Sequence, residues 1–493
     1  MGRYGGIDPP SSAQKGGLSV DNFVRRVCGV FLQGIEGILD ALCRGMTCPD
    51  AEVMIRACCD GLATSVYSAY IEEINRQLHE NPKAREGWNV VRTDKRSISS
   101  LMGEVEFSRA YYRNKETGEH RYLSDDVCGI TPHSRLTPAF RAKLVENASE
   151  MAYGEAGERT GSCEVSDQTV MNSLRKLEFD PAWVKGVVSA GKKRSVPVLY
   201  VEADEDHLSG NRNKRKRLEP KLVYVHEGRE KVGTKRYALI NPKYFGGMYN
   251  DPDELWWAVH RYIEQTYDVD ALLVVFVTGD GARWITLGTE FVEKGIRLPD
   301  LFHLRKYVVA ASHGDKALAS KLWRAVDAAD KAKTCELLDE AGSTAVTKGQ
   351  ANSVARCRTY LCNMWGAVQN RRKHLREAAG CSAEGHVSHV YAARMSSRPT
   401  SWSETGADTM ARLRVMMANG ESISDHALRQ ATRSLEDIQI GRERVQEIRM
   451  GVRTKVKAAE GYLHAQLGNM PILQGKTSFT ARALRGLRDY MAI

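Results

Sequence analysis

Four acidic residues directly follow a short apolar segment near the middle of the chain. Residues 196–201 form an apolar segment typical of a buried β-strand, and Glu202, Asp204, Glu205 and Asp206 come next. Because successive strand side chains point to opposite faces, Glu202, Asp204 and Asp206 share one face if the strand continues. Burying a carboxylate is costly unless a partner compensates its charge, and a metal ion is the simplest partner. The alternative interpretation is a strand that ends in a solvated acidic turn.

A second acid ends another apolar segment downstream. Residues 272–277 are wholly apolar, as a central strand should be, and lead into Thr278-Gly279-Asp280-Gly281. Asp280 therefore resembles Asp204 in standing where a buried strand ends. Its alternative role is structural, since Asp next to Gly often forms an Asx turn.

The order of predicted elements indicates how these acids are positioned. It predicts three strands, a helix and two further strands, at residues 196–204, 221–226, 236–240, 251–267, 272–277 and 298–304. This is the order of a ribonuclease-H-like fold, a mixed sheet flanked by helices, whose first and fourth strands are neighbours. Asp204 and Asp280 are then expected to meet at one edge of the sheet.

A third acid lies at the start of a later predicted helix. Glu384 follows the helix-breaking Gly380, and its alternative role is that of an acid favoured by the helix dipole. Three carboxylates on such a sheet can hold two Mg²⁺ ions, because water and substrate phosphate complete each octahedron. Two such ions about 4 Å apart support in-line phosphoryl displacement. Mg²⁺ is thus the expected cofactor, with Mn²⁺ as a substitute.

Two helices upstream are typical of a helix-turn-helix DNA-binding element. They are predicted at residues 137–154 and 166–177, with a glycine-bearing break between them at 153–161. The second is capped by Ser166 and offers a polar face to DNA. The residues expected to contact DNA there are Gln168, Asn172, Arg175 and Lys176.

Two further basic segments are expected to contact the phosphate backbone. Residues 87–123 predict a β-hairpin that turns at 114–118 and carries Arg109 and Arg113 beside aromatic residues. The loop at 211–217 is strongly basic, and its expected contacts are Arg212, Lys214, Arg215, Lys216 and Arg217. A solvated hairpin face would have the same composition.

Composition limits the class of protein. The 493 residues carry a net charge of +10, which favours a polyanionic partner, and no segment is apolar enough to span a bilayer. The eleven cysteines are scattered without a C-x-x-C pair, as in a reducing cytosol. Cys335, Cys357, Cys362 and Cys381, with His374 and His386, leave a zinc site open, although free thiols are the simpler interpretation.

The segments form an α/β core interrupted and flanked by all-α regions. Residues 1–86 read as a disordered start and a helical bundle, and 87–190 as the hairpin and helix-turn-helix. The catalytic core is expected at 191–309 and 380–421, split by a helical insertion at 310–379. A basic helical tail follows at 422–493.

Four motifs in order resemble one family of enzymes. YVEADEDH, GDGARWI, DLFHLRKYV and AEGHVSHVYAARMSSRPTSWS are similar to segments of ISLre-type insertion-sequence transposases, bacterial DDE enzymes allied to the Mutator-like group. The resemblance covers residues 87–413. It implies that Asp204, Asp280 and Glu384 form the catalytic triad and that Asp300-x-x-His303 is an accessory catalytic motif. Family members often have Gly after the first Asp, and Glu205 here leaves Asp206 as a rival to Asp204.

The expected function is therefore Mg²⁺-dependent DNA transposition by a nucleoid-associated cytoplasmic protein. It would bind terminal inverted repeats in double-stranded DNA, cleave transposon ends and join the 3′-hydroxyl to target DNA. Since two ends must be brought together, a homodimer or higher oligomer is expected. The alternatives are a domesticated, non-catalytic DNA-binding regulator and a ribonuclease-H-like nuclease without strand transfer.

Overall fold

A computed structural model describes residues 14–187, 191–211, 217–234, 236–378, 380–398 and 400–436 of this mixed α/β protein. The described chain divides into two compact units. The first comprises the residues up to Ala148, Ala152–Val170 and those from Ser424 onward, and the second comprises Ser149–Met151 and Met171–Ile423. Within the described residues, no helix has both the length and the apolar character needed to cross a membrane.

The first unit begins with the predicted helical pair. Helix α1 (Gln14–Cys43) and helix α2 (Cys48–Glu80) are joined by a short turn, and Pro49 occupies the first turn of α2, where its missing N–H costs nothing. The buried face of α2 packs on a three-stranded antiparallel sheet. Its strands are β1 (Trp88–Ser100), β2 (Gly103–Asn114) and β3 (His120–Arg121).

The hairpin is longer than the sequence predicts, and its main turn lies elsewhere. The tight turn falls between Ser100 of β1 and Gly103 of β2, which are paired with each other. The sequence instead predicts the turn at 114–118. Gly103 has φ +131°, a conformation that favours glycine. The predicted turn exists but leads only to the two-residue strand β3. Strand β1 carries mixed polar residues without clean alternation, so the sequence pattern does not predict it as a strand.

Four helices follow the sheet: α3 (Leu123–Cys128), α4 (Pro138–Glu150), α5 (Tyr153–Arg159) and α6 (Asp167–Arg175). Helix α5 corrects the prediction that glycines break the chain here. A Cβ on Gly157 would lie 2.2 Å from the carbonyl oxygen of Val165, so glycine is required where the following loop crosses the helix. The glycine marks a close approach of backbones rather than the end of a helix.

A five-stranded mixed sheet forms the centre of the second unit, after the short helix α7 (Pro181–Val184). The strand order is β10-β7-β4-β11-β12, with β4, β11 and β12 parallel and β7 antiparallel to both β4 and β10. These strands are β4 (Val198–Glu205), β7 (Lys221–His226), β10 (Lys243–Gly247), β11 (Val274–Gly279) and β12 (Gly295–Pro299). Two small ribbons lie outside it, β5 (Leu208–Ser209) with β6 (Arg217–Leu218) and β8 (Arg229–Lys231) with β9 (Tyr237–Leu239).

The pairing of β4 with β11 confirms that the first and fourth predicted strands are neighbours. The third predicted strand exists as β9, but it pairs with β8 in a ribbon outside the sheet, and β10, at the sheet edge, is instead the third strand of the sheet in chain order. Tyr237 is 64% exposed, whereas Phe245 of β10 is buried. Burial of the aromatic side chain therefore determines that β10, rather than residues 237–239, joins the sheet. The last predicted strand ends early, because Asp300 caps a helix through the amide of Phe302 (2.8 Å).

Helices cover both faces of the sheet. Helices α8 (Pro252–Thr266) and α9 (Arg283–Phe291) pack on the face formed by Leu199, Val201 and Ala203. By alternation, Glu202 and Asp204 point to the opposite face. Helix α14 (Ala383–Val387) packs on β4 from that side and continues through a π-helical turn (Ser388–Ala392) and α15 (Ala393–Met395).

Four helices lie between the sheet and α14 in the chain, over the region where the helical insertion is predicted. They are α10 (Leu301–Ala311), α11 (Lys316–Asp327), α12 (Lys331–Ser343) and α13 (Lys348–Lys373), which share a core that includes Trp365. Helices α16 (Glu404–Ala418) and α17 (Ile423–Glu436) complete the described chain. The predicted tail beyond residue 436 lies outside the described residues.

Candidate functional site

Three acids stand at the carboxyl ends of the three parallel strands. Asp204 is the penultimate residue of β4, Asp280 directly follows β11, and Asp300 directly follows β12. The parallel register aligns the three ends, since the strands are paired in phase up to these positions. In open α/β sheets this edge is where ligands bind.

Asp204 is the most perturbed acid of this group. It is 8% exposed, and burial raises its pKa to about 7. The hydrogen bond that the Glu205 amide donates to its Oδ1 (2.9 Å) acts in the opposite direction and lowers the pKa. The nearby charge of Asp280 raises the pKa further. A buried carboxylate beside a second carboxylate is a site that a cation would stabilise.

The loop that carries Asp280 is held close to β4. A Cβ on Gly279 would lie 2.7 Å from the carbonyl oxygen of Ala203, and Gly281 has φ +102°, so both glycines are required. The Oδ1 of Asp280 accepts a hydrogen bond from the amide of Ala282 (2.8 Å). Asp280 therefore forms the Asx turn considered from the sequence, and that turn fixes the carboxylate beside Asp204.

His303 belongs to the same site. Its Nδ1 is 2.8 Å from Oδ2 of Asp300, and this hydrogen bond raises the pKa of His303, with the charges of Asp204 and Asp280 adding to the rise against burial. A protonated imidazole here partly balances the carboxylates. The Asp300-x-x-His303 spacing thus places both residues at the carboxylate edge, with the His on the first turn of α10.

Glu384 is on the surface of α14 and is exposed. Among the residues that the structure describes, no three His, Cys, Asp or Glu side chains are spaced to hold a metal ion. The structure therefore brings Asp204, Asp280 and His303 together but does not bring Glu384 into a group with them. Its role as the third acid stays a prediction.

Glu202 anchors the start of the segment that carries Glu384. This fully buried carboxylate accepts hydrogen bonds from Tyr224 Oη (2.6 Å), Arg229 (2.8 Å) and the backbone amide of Ser382 (2.5 Å), and it lies 3.1 Å from His226 Nε2. Although burial opposes ionisation, these partners together lower the pKa of Glu202. Glu202 therefore has a structural role, because protein groups already occupy the carboxylate oxygens that a metal ion would need.

The choice between Asp204 and Asp206 follows from their partners. Asp206 accepts hydrogen bonds from Ser396 Oγ (2.9 Å) and from the amide of His207 (2.8 Å), and β4 ends before it. Asp204, in contrast, is buried and the charge of His303 acts on it. The geometry favours Asp204 as the first ligand.

The insertion contributes a residue that the sequence did not identify. The hydroxyl of Tyr360, on α13, is buried without a hydrogen-bond partner among the described residues. Burial raises its pKa, as do the charges of Asp300 and Asp280. Tyr360 therefore lies near the acidic edge, although it follows Asp280 by many residues and no local spacing connects the two.

The predicted DNA-contacting residues of α6 lie on one face. Gln168, Asn172 and Arg175 are exposed, whereas Val170 and Leu174 are buried, as an amphipathic surface helix requires. Lys176, directly after the helix, is also exposed.

The basic residues of the hairpin and the loop have different surroundings. Arg109 is half-buried, with its guanidinium paired to Asp125 and 3.5 Å above the ring of Tyr122, whereas Arg113 is exposed. Arg217 is exposed on β6. The other predicted loop contacts lie outside the described residues: Arg212, Lys214, Arg215 and Lys216.

The cysteines are free, as the sequence favours. All eleven lack disulfide bonds, and Cys357 is fully buried in the core of the insertion, where burial raises its pKa to about 12. Since the described residues hold no metal-binding group of three, the zinc interpretation gains no support.

In the absence of divalent metal, we expect Asp204→Asn to stabilise the protein at high pH. A carboxyl whose pKa rises from 3.8 when unfolded to about 7 when folded adds stability below pH 4 that is lost as pH rises through 7. The variant removes that loss, so its free energy of unfolding should exceed the wild type's by about 1–3 kcal/mol at pH 8 and match it near pH 4. Thermal unfolding across pH in EDTA measures this. An equal difference at both pH values would contradict it, and Asp206→Asn is the control.

The comparisons with known proteins agree on one family. A model for an uncharacterised protein family, UPF0236, matches residues 42–431. A UPF0236 protein of Caldanaerobacter subterraneus subsp. tengcongensis, whose name joins eleven designations from TTE0033 to TTE2212, is 32% identical over 95% of this chain and 96% of its own length. Another from that organism is 35% identical over 79% of this chain and 82% of its own.

A more distant relative comes from a different bacterium. A Streptococcus gallolyticus protein, named as a UPF0236 protein in the vanSb 3′ region, is 26% identical over 71% of this chain and 78% of its own length. The matched region includes both the hairpin and the sheet with its three acids. The chain belongs to the UPF0236 family.

Proposed function

We propose that this protein is a metal-dependent DNA transposase with a ribonuclease-H-like core. The observation that carries the proposal is the sheet order β10-β7-β4-β11-β12, with Asp204 and Asp280 at the ends of its first and fourth strands in chain order. That order, with a single antiparallel strand beside the first, is the one expected of such a core. It brings two acids together that are 76 positions apart in the sequence.

Asp204 and Asp280 are the residues that would hold Mg²⁺. Their closeness and the burial of Asp204 suit a hard cation, which needs only one or two protein carboxylates. When bound, Mg²⁺ would activate the attacking oxygen and stabilise the leaving oxygen of a phosphodiester. His303, hydrogen-bonded to Asp300, would donate to a phosphate oxygen or balance charge at the same edge.

The names of relatives support a mobile element. One UPF0236 relative has a name that joins eleven designations, and another joins four, as expected for one protein encoded at many positions of a genome. A protein encoded at many positions of one genome is typical of insertion sequences. A housekeeping DNA-binding protein would not be expected in that number.

The charge and the surface of the chain fit a DNA substrate. The net charge is +10, and α6 exposes Gln, Asn and Arg side chains that suit adenine and guanine edges. Two transposon ends must be held at once, so we infer a homodimer or a higher oligomer acting in the bacterial cytoplasm.

The exposed position of Glu384 favours a second candidate, a DNA-binding protein of the same ancestry without catalysis. In the catalytic proposal, Glu384 would join the two aspartates when metal and DNA bind. The two candidates differ in whether DNA is cut, because DNA binding is common to both.

The deciding experiment incubates the full chain with DNA from the flanks of its own gene and a target plasmid. We expect Mg²⁺-dependent nicks at the element ends and joined products, both lost in EDTA and in Asp280→Asn. Nicks without joined products would indicate a nuclease. Sequence-specific binding without any nick, in Mg²⁺ and in Mn²⁺, would overturn the catalytic proposal in favour of the second candidate.

A further inference from the structure

A cavity of about 570 Å³ opens on the hairpin sheet of the first unit. Its walls are β1, β2 and β3, the helix α3 and the loop at 130–136, and we name it the hairpin cavity. Ligand sites in proteins are commonly about 300–1,000 Å³, so its volume suits a small organic group. None of its lining residues belongs to the carboxylate edge of the second unit.

An aromatic stack forms one side of the hairpin cavity. The ring of His120 stacks on that of Tyr111, with centroids 5.3 Å apart and planes 19° apart, and Tyr122 lies 4.7 Å from Tyr111. Arg92 lies 4.3 Å above the Tyr111 ring. His120 is exposed, so this stack ends in an accessible planar ring. Such a ring can stack with any of the nucleobases, because every base has a flat aromatic face.

Three of the residues that line the hairpin cavity carry a buried polar atom without a partner in the described part of the chain. Among the described residues, Nε of Arg109, Oδ1 of Asp125 and Oδ2 of Asp126 are buried and make no hydrogen bond. All three residues line the hairpin cavity, and Asp125 is only 3% exposed. A buried polar atom without a partner is costly, and nucleobase edges supply both the donors and the acceptors that would satisfy these atoms.

Basic groups stand at the rim of the hairpin cavity. Arg135 and His133 are exposed there, and Arg121 is half-buried with an ion pair to Glu119 (2.6 Å) near the surface. Arg96 and Arg109, in contrast, are paired with Asp125 inside the unit. Cations outside and hydrogen-bonding groups inside are the arrangement expected for a phosphate at the rim and a base within.

We propose that the hairpin cavity binds one unpaired nucleotide of a DNA strand. The base would stack on His120, its amino and imino groups would meet Asp125 and Asp126, and its phosphate would meet Arg135. This inference rests on the proposed action on DNA, because a strand end or a frayed end is where an unpaired base is offered. A free nucleotide has the same chemistry, and the experiment separates the two sources.

The experiment measures binding of the full chain by fluorescence anisotropy in EDTA, so that no cleavage is required. One probe is a blunt duplex of the element end, and the other is that duplex with a short single-stranded overhang. We expect the overhang to be preferred by about tenfold, in keeping with the stacking of one base on an aromatic ring. His120→Ala, an exposed position whose change leaves the core intact, should abolish the preference while keeping blunt binding.

Tyr237→Ala removes an exposed aromatic of the second unit and should keep the preference. Equal binding of the two wild-type probes, or a preference that survives in His120→Ala, would overturn the inference and leave the proposed function untouched. Tight binding of free mononucleotides without an overhang preference would also overturn it, since the site would then serve a soluble nucleotide. Loss of cleavage in the acid variants, which tests the proposed function, does not enter this measurement.

Discussion

Replacing Asp204 with asparagine is expected to lower the rate of Mg²⁺-dependent DNA cleavage by on the order of 10³-fold. The substitution keeps the shape of the side chain but removes the charge that would hold the metal beside Asp280. Metal catalysis contributes several kcal/mol of transition-state stabilisation, and each 1.36 kcal/mol changes a rate tenfold. DNA binding should stay within about twofold, because basic residues elsewhere supply most of the affinity.

Asp206→Asn is the matched control, since it makes the same change two positions away in the same acidic segment. Asp206 accepts a hydrogen bond from Ser396 at the surface and is not placed beside Asp280. The Asp206→Asn protein should therefore cleave DNA at close to the wild-type rate. The measurement is single-turnover cleavage of a labelled element end with excess protein. Cleavage retained in Asp204→Asn and lost in Asp206→Asn would reverse the assignment of the first ligand.

The expected stabilisation of Asp204→Asn in EDTA makes this result harder to explain by misfolding. A variant that is more stable than the wild type at pH 8 and yet does not cleave DNA has lost catalytic activity while keeping its fold. Active sites commonly hold charged groups that lower the stability of the free protein, and the bound ligand then balances those charges. The wild type should correspondingly gain thermal stability from Mg²⁺, and the variant should gain less.

The two aspartates could be predicted from the sequence because their position depends on local information. Each follows an apolar run long enough to be a strand, and parallel neighbours bring such ends together. Asp300 and His303 were expected only because the resemblance implies their motif, and the structure shows the physical contact, since a capping acid and a residue three positions later face each other on the first helical turn.

The remaining features depend on contacts that spacing does not encode. Whether 236–240 or 243–247 joins the sheet depends on which segment buries its aromatic residues against α8, a tertiary effect. Arg109 was predicted to face DNA, but Asp125 pairs with it from a helix whose proximity no periodicity reveals. Glu384 is separated from the aspartates by the whole insertion, so its side-chain position depends on how α14 packs.

That packing depends on Glu202, and Glu202→Gln is the second change with a large expected effect. The neutral amide cannot balance the charge of Arg229, and it can accept only some of the hydrogen bonds that the carboxylate now accepts. Breaking a buried charge pair by altering one partner costs about 3–5 kcal/mol. For a unit of this size, we expect the melting temperature to fall by roughly 6–12 °C.

The pH dependence of that loss identifies its cause. Because the fold lowers the pKa of Glu202 below its usual 4.5, this residue stabilises the protein above that pH, and the contribution is lost on acidification. The difference in unfolding free energy between wild type and Glu202→Gln should therefore be largest at neutral pH and shrink as pH falls below about 4.5. Glu336→Gln, which alters an exposed ion pair with Lys333, should change stability far less than Glu202→Gln does, because solvent screens exposed charge pairs.

Cleavage should fall further in Glu202→Gln than unfolding alone explains, because Glu202 also holds the backbone of Ser382 at the entrance to α14. We expect most of the activity to be lost at a temperature where circular dichroism shows the variant folded, while binding to element ends persists. Restoring the carboxylate as Glu202→Asp should recover stability only in part, since the shorter side chain cannot reach all its partners. Full activity in folded Glu202→Gln would show that cleavage does not depend on the anchoring of α14 by this carboxylate.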